Sequence, residues 1–135
     1  MSYWLMKTEP GNWSWQNQID KKVTHWDGVR NYQASNNLKA MKIGDLCFFY
    51  HSVHERQIVG IVEVIKEYYP DPTDPIGRFG MVDVKYVQSF KKPVTLAVIK
   101  QDPRLNHLSL VKQSRLSVMP IDKDSWDLIK KLGEV

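Results

Sequence analysis

Two apolar runs constrain this chain most. Residues 46–50 read Leu-Cys-Phe-Phe-Tyr and residues 58–65 read Ile-Val-Gly-Ile-Val-Glu-Val-Ile, with a polar connector at residues 52–56. Each run is short, and both are rich in β-branched or aromatic side chains, so they predict two neighbouring strands of a hairpin rather than helices. Three further segments add to the same sheet. Residues 3–7 read as a first strand, residues 116–120 as a last one, and residues 81–90 set Val82, Val84 and Tyr86 opposite Asp83 and Lys85 in the alternation of a half-buried strand.

The helical signals are short and bounded. Ser14 can cap residues 15–20, Thr95 can cap residues 96–101, and Asp122 can cap a last helix whose stripe is Trp126, Ile129 and Leu132, with Gly133 as its stop. Ala34, Leu38 and Met41 recur at helical spacing with Lys39 and Lys42 off that face and Gly44 beyond. Residues 69–77 contain three prolines and predict a surface loop, because proline removes donors and biases its predecessor toward extended geometry. Five or six short strands interrupted by short helices, without βαβ alternation, predict an α+β, β-rich class: a small barrel with helices at its ends. With no repeat or linker, residues 1–135 read as one domain, long enough to bury about two-thirds of its unfolded surface.

Composition narrows the function classes. Cys47 is the one cysteine, so no internal disulfide framework exists, and its place in an apolar run predicts a small buried hydrophobe rather than a nucleophile. Lys7 interrupts the N-terminal apolar stretch too early for a signal peptide, and no later run reaches membrane-span length. A cytoplasmic location is expected, or a nuclear one in a eukaryote. The net charge of +4 suits a polyanionic partner without approaching the density of a nonspecific DNA coat. Gly77-Arg78-Phe79-Gly80 lacks phosphate-loop spacing, and His25, His51, His54, His107 and Cys47 lack zinc-site spacing, so neither a metal nor another cofactor is expected. Glu9, Asp71, Asp74 and Asp83 show no cooperating pair, and Ser14 and Ser114 no nucleophile signature.

What remains is a concentration of groups that stack or hydrogen-bond near element ends. Lys7, Thr8, Glu9, Trp13, Ser14 and Trp15 form one segment, Arg30, Asn31, Tyr32 and Gln33 a second, and Ser114 and Arg115 a third. Five tryptophans exceed what a core of this size needs, so some are expected to face a ligand. Taken singly, Trp13 and Trp15 read equally as core aromatics, Ser14 as a helix cap, Asn31 as a turn residue and Arg115 as a surface cation; their concentration is what points to a pocket.

Five ordered motifs carry a family resemblance over nearly the whole chain. They are Tyr3-Trp4-Leu5-Met6-Lys7-Thr8-Glu9-Pro10, Trp13-Ser14-Trp15, Gly28-Val29-Arg30-Asn31-Tyr32-Gln33-Ala34, Phe48-Phe49-Tyr50-His51-Ser52 and Gln113-Ser114-Arg115-Leu116-Ser117-Val118. Together they resemble the EVE domain family. Ser35 departs from the pattern, since an arginine is expected there. The resemblance implies a PUA-like pseudobarrel related to the YTH domains, and it adds Ser52 to the expected site. It also implies a non-catalytic module that recognises a modified base, chiefly modified cytosine in DNA, extruded into an aromatic and polar pocket. In that pocket Trp13 and Trp15 are candidate stacking platforms, Asn31, Ser14 and backbone groups near Thr8 and Ser114 candidate readers of the base edge, and Arg30 and Arg115 candidate phosphate or base contacts. The expected partner is nucleic acid, DNA or RNA, bound by a monomer; any cleavage would belong to a separate effector such as a nuclease. The alternatives are an RNA-binding PUA-like accessory domain, or an enzyme acting on a nucleoside or RNA with Glu9 or an aspartate of residues 71–83 as acid or base.

Overall fold

The computed structural model describes residues 1–135. Its elements are, in chain order, β1 (Tyr3–Thr8), α1 (Trp15–Lys21), β2 (Val23–His25), α2 (Tyr32–Ala40), β3 (Leu46–His51), β4 (Gln57–Pro70), β5 (Gly80–Thr95), α3 (Leu96–Gln101), α4 (Ser109–Lys112), β6 (Val118–Ile121) and α5 (Lys123–Leu132). All six strands share one sheet in the order β2-β5-β4-β3-β1-β6. β1 runs parallel to β3, with Leu5 opposite Phe48, and every other pairing is antiparallel. The expected hairpin is β3 and β4, registered from Leu46 opposite Glu63 to His51 opposite Gln57. α2 packs on β6 and also on β5 and β4.

Phe48 and Phe49, neighbours on β3, point to opposite faces of the sheet and are both fully buried. Phe48 stacks on Trp126 of α5 with ring centroids 3.8 Å apart and meets Phe90 edge-on. Phe49 packs against Trp15 and Trp26 on the other face. Asp45, also buried, is satisfied by donors from the indole of Trp4 and the amides of Ser2 and Lys42.

The strands are longer than their apolar runs. β4 continues through Tyr69 and Pro70, which sit opposite Met81 and Gly80, so the loop expected over residues 69–77 begins two residues later. Pro70 is tolerated because it closes the strand, where a missing donor breaks no ladder. β5 likewise continues through Lys91, Lys92 and Pro93. Between Ser89 opposite Gly60 and Val94 opposite Ile58 it carries surplus residues, a bulge whose Lys91 and Lys92 amides both donate to the Gly133 carbonyl. The loop itself is organised from within: Asp71 and Asp74 are 2% and 9% exposed and bind its backbone amides. β2 and α4 are too short to leave a periodic signal and were not expected from the sequence.

Candidate functional site

β1 ends beside the segment leading into β6, where the Lys7 amide donates to the Ser117 carbonyl at 2.8 Å. The Lys7 side chain is half-buried; its ammonium donates to the Ser114 carbonyl at 3.0 Å and lies 5.7 Å from the Tyr50 ring centroid. Burial lowers its pKa. The next residues fold into a tight turn: the Glu9 carbonyl accepts the amides of Asn12 and Trp13, and the Thr8 hydroxyl donates to the Trp13 carbonyl at 3.0 Å.

That turn sets Trp13 and Trp15 in different environments. Trp13 is part-buried, with its indole N–H donating to Gln18 Oε1 at 2.9 Å. Trp15 is 7% exposed, packed on Phe49 and Tyr86, and donates its indole N–H to Ser89 Oγ at 3.0 Å. Gly60 lies so close beneath it that a Cβ there would come within 2.0 Å of the indole. Ser14 caps α1, accepting the Asn17 amide while Asn17 accepts the Ser14 amide in return.

The facing wall begins at β2. Trp26 follows it, with its amide donating to the Val82 carbonyl at 2.8 Å and its ring meeting Phe49 edge-on. Gly28 takes a φ of +80°, which suits glycine, and its amide donates to Asp71 Oδ2 at 2.8 Å. The same oxygen accepts Arg30 Nη1 at 3.1 Å, and Arg30 Nη2 donates to the Thr73 hydroxyl at 2.9 Å. Burial alone would raise the Asp71 carboxyl, but the Thr73 hydroxyl, the Gly28 and Thr73 amides and Arg30 override it and hold the pKa at about 2. Asn31 is the cap of α2, its Oδ1 accepting the Ala34 amide at 2.9 Å. Tyr32 stands 60% exposed against Phe79, with its hydroxyl accepting from Arg78.

Between these walls lie three adjoining concavities. The first, of about 580 Å³, is lined by Lys7, Thr8, Glu9, Asn12, Trp13, Lys21, Ser117 and residues 24–30. Because it joins the ends of β1 and the approach to β6 with β2, it occupies the open side between the sheet's edges. The second, of about 530 Å³, shares Lys7, Thr8, Glu9 and Ser117 and adds Tyr50, Ser52, Arg56, Lys100, Ser114 and Arg115 among others. The third, of about 320 Å³, is lined by Asn31, Gln33 and residues 112–116. Lys7, Lys21, Arg30, Arg56, Lys100, Lys112 and Arg115 therefore surround a surface whose acids are Glu9 and Asp27.

The structure thus gathers Lys7, Thr8, Glu9, Trp13, Arg30, Asn31, Gln33, Ser52, Ser114 and Arg115 around one continuous surface. Ser14, Trp15 and Tyr32 line none of the three concavities. Trp26, Thr24 and Asp27 line the first without having been singled out from the sequence. The surplus of tryptophan was the available signal for Trp26, which lies in no apolar period. Elsewhere, Cys47 is fully buried, and burial together with Asp45 pushes its thiol pKa up, away from nucleophilic chemistry. No grouping of His, Cys, Asp or Glu is arranged to hold a metal ion, and no helix is long and apolar enough to cross a membrane.

This architecture recurs in known proteins. The family model for the EVE domain matches residues 2–132. Human thymocyte nuclear protein 1 is 35% identical over 98% of this chain and 74% of its own length. The solved structure of that human protein in complex with DNA containing 5-methylcytosine superposes with a TM-score of 0.94 at 34% identity, covering 100% of this chain and 99% of the other. A Rhodopseudomonas palustris protein solved by NMR is 48% identical with a TM-score of 0.93, covering 99% of this chain and 94% of its own. A YTH domain from Zygosaccharomyces rouxii, at 17% identity and a TM-score of 0.60 over 98% of this chain and 86% of its own, shares the fold. Matched from end to end by the family model and by these relatives, this α+β, PUA-like chain belongs to the EVE domain family.

Proposed function

We propose that this protein is a non-catalytic nucleic-acid reader that takes a modified base, a modified cytosine, into the cleft that Trp13 and Trp26 line. The observation that carries the reading is a cleft of about 580 Å³ lined by the part-buried Trp13 and by the small exposed part of Trp26, itself 7% exposed and packed on Phe49, with Lys7, Lys21 and Arg30 at its rim. A base inside a duplex offers only its groove edges, and extruding it costs a few kcal/mol. Stacking on aromatic rings returns about 1–3 kcal/mol per base. Rim cations attract the phosphates on either side and make the affinity salt-dependent. The human relative's complex with DNA containing 5-methylcytosine supports the same ligand class here.

Two features suit a reader. Arg30 is braced by Asp71 and Thr73, so its guanidinium reaches the rim in one orientation, and the Gly28 amide is tied to the same carboxylate. Binding then requires little ordering of the protein, which favours affinity. Asp27, between the bonded backbone of Trp26 and Gly28, adds a carboxylate acceptor to a largely cationic surface. Cytosine carries an exocyclic amine that such an acceptor reads. Any strand cleavage linked to recognition falls to a separate effector chain.

The test is a titration against matched oligonucleotides, single- and double-stranded DNA and RNA, carrying cytosine, 5-methylcytosine, 5-hydroxymethylcytosine or N6-methyladenine. A preference for a modified cytosine is expected, worth about 1–3 kcal/mol for one added group in a fitted notch. Equal affinity across the series would sink the reading, and a preference for methyladenine in RNA would move this protein to a different ligand.

A further inference from the structure

The second concavity differs in chemistry from the tryptophan-walled cleft beside it. Lys7, Arg56, Lys100 and Arg115 supply four cations against Glu9 as its one acid, Thr8, Ser52, Ser114 and Ser117 add hydroxyls, and no tryptophan lines it. At about 530 Å³ it has the volume of a small-ligand site rather than of a surface dimple. Tyr50, Val53, Leu96 and Leu110 complete the lining, but Tyr50 is 2% exposed and offers no open ring face, so the convergent cations and hydroxyls match a phosphate and a sugar better than a base.

Its position is equally informative. Lys7, Thr8, Glu9 and Ser117 line both concavities, so a ligand held in one reaches the other without leaving the protein. Lys7 is fixed on the shared ridge by its bond to the Ser114 carbonyl. Arg56 is held over the far side by a turn in which Val53 and Arg56 adopt φ of +73° and +48°, with Arg56 Nε donating to the Val53 carbonyl at 3.2 Å. A β-branched residue at positive φ is an uncommon conformation, and such outliers concentrate where a side chain must be aimed.

We infer that this concavity is a flanking-nucleotide subsite, which binds the phosphodiester and sugar next to the base held in the cleft that Trp13 lines. The inference rests on the base-reading role of the adjoining cleft. It makes the smallest full ligand a dinucleotide, with affinity contributed by the second site and discrimination by the first.

The test compares wild-type protein with the double variant Arg56→Ala/Lys100→Ala and with Lys91→Ala/Lys92→Ala, which removes the same charge from an exposed part of β5 outside these concavities. The probes are a single-stranded DNA carrying one 5-methylcytosine, its unmodified twin, and the free nucleoside 5-methyl-2′-deoxycytidine. The Arg56/Lys100 variant is expected to weaken binding of both strands by about ten- to a hundredfold, the loss of one or two charged hydrogen bonds to a phosphodiester. The methylated-to-unmodified ratio and the nucleoside affinity stay unchanged, and the slope of log affinity against log salt becomes shallower by about one. The Lys91/Lys92 variant keeps wild-type affinity and slope. Wild-type strand binding by an Arg56/Lys100 variant that still melts normally would overturn the subsite, as would an equal loss in both double variants. Weakened strand binding together with equal wild-type affinity for the two strands would uphold the subsite and sink the base reading instead.

Discussion

Trp13 and Trp15 are two residues apart and do different work. The sequence placed them on a par, because spacing within a turn does not say which ring faces inward. Packing separates them: Trp15 seals Phe49 and Tyr86 over Gly60, while Trp13 lines the cleft. Trp15→Ala is expected to cost about 3–5 kcal/mol of stability, as a large cavity in the core does. Trp13→Ala costs about 1–2 kcal/mol, because its ring is only part-buried, and abolishes most base binding; thermal melting beside a titration distinguishes the two. Gly60→Ala drives a methyl into the Trp15 indole and should cost about 1–3 kcal/mol by overpacking. Asp71 was readable from the sequence only as one carboxylate among several, yet it ties Gly28, Arg30 and Thr73 together. Asp71→Asn cannot accept from both sides, so it is expected to lower stability by about 2 kcal/mol and to weaken binding by freeing Arg30, a loss that Arg30→Ala would not deepen. Asn31 shows the converse: expected as a base reader, it spends Oδ1 on the Ala34 amide.

Helix starts were legible because capping is a local chemistry written in adjacent residues. Ser14, Thr95 and Asp122 each accept an amide in the first turn of the helix that follows. Strand ends were not, since Pro70 and the Lys91-Lys92-Pro93 stretch read as breakers until bulges and a strand terminus accommodate them. Asp122 also engages His107 and Ser125; burial opposes its ionisation, but those two partners outweigh it and hold the pKa at about 2. Asp122→Ala should remove about 1 kcal/mol, a fall in melting temperature of roughly 4 °C. Asp71 and Asp122 together set an acid response. Both carboxyls titrate near 3.9 when unfolded and near 2 when folded, so the native state binds fewer protons in between. Their contribution is complete above pH 4 and is lost as pH falls through 2. Denaturant midpoints measured across that window should drop, and less steeply in Asp122→Ala.

At the scale of the molecule, the site is a product of topology. Its walls come from β1, β2 and the approach to β6, and the sheet order places β2 and β6 at opposite edges, so residues from both edges meet around one cleft. No local pattern announces that meeting, so the sequence marks neither Trp26 nor Asp27 as lining the cleft, whereas the Lys7-Thr8-Glu9 and Ser114-Arg115 segments are dense enough in polar groups to stand out. The class of fold was legible because strand and cap signals are dense and none conflicts with another. The charge was legible only as a total; in the structure seven of the nineteen Lys and Arg residues line the concavities against Glu9 and Asp27, and affinity should fall as salt rises. The central claim is that a modified cytosine leaves its stack and lies in the cleft lined by Trp13, Trp26 and Asp27. The most direct measurement is a crystal structure of the protein with DNA bearing one 5-methylcytosine: the methylated base should occupy that cleft with its amine toward Asp27, whereas a base still stacked in the duplex, or bound anywhere else on the protein, would contradict the claim.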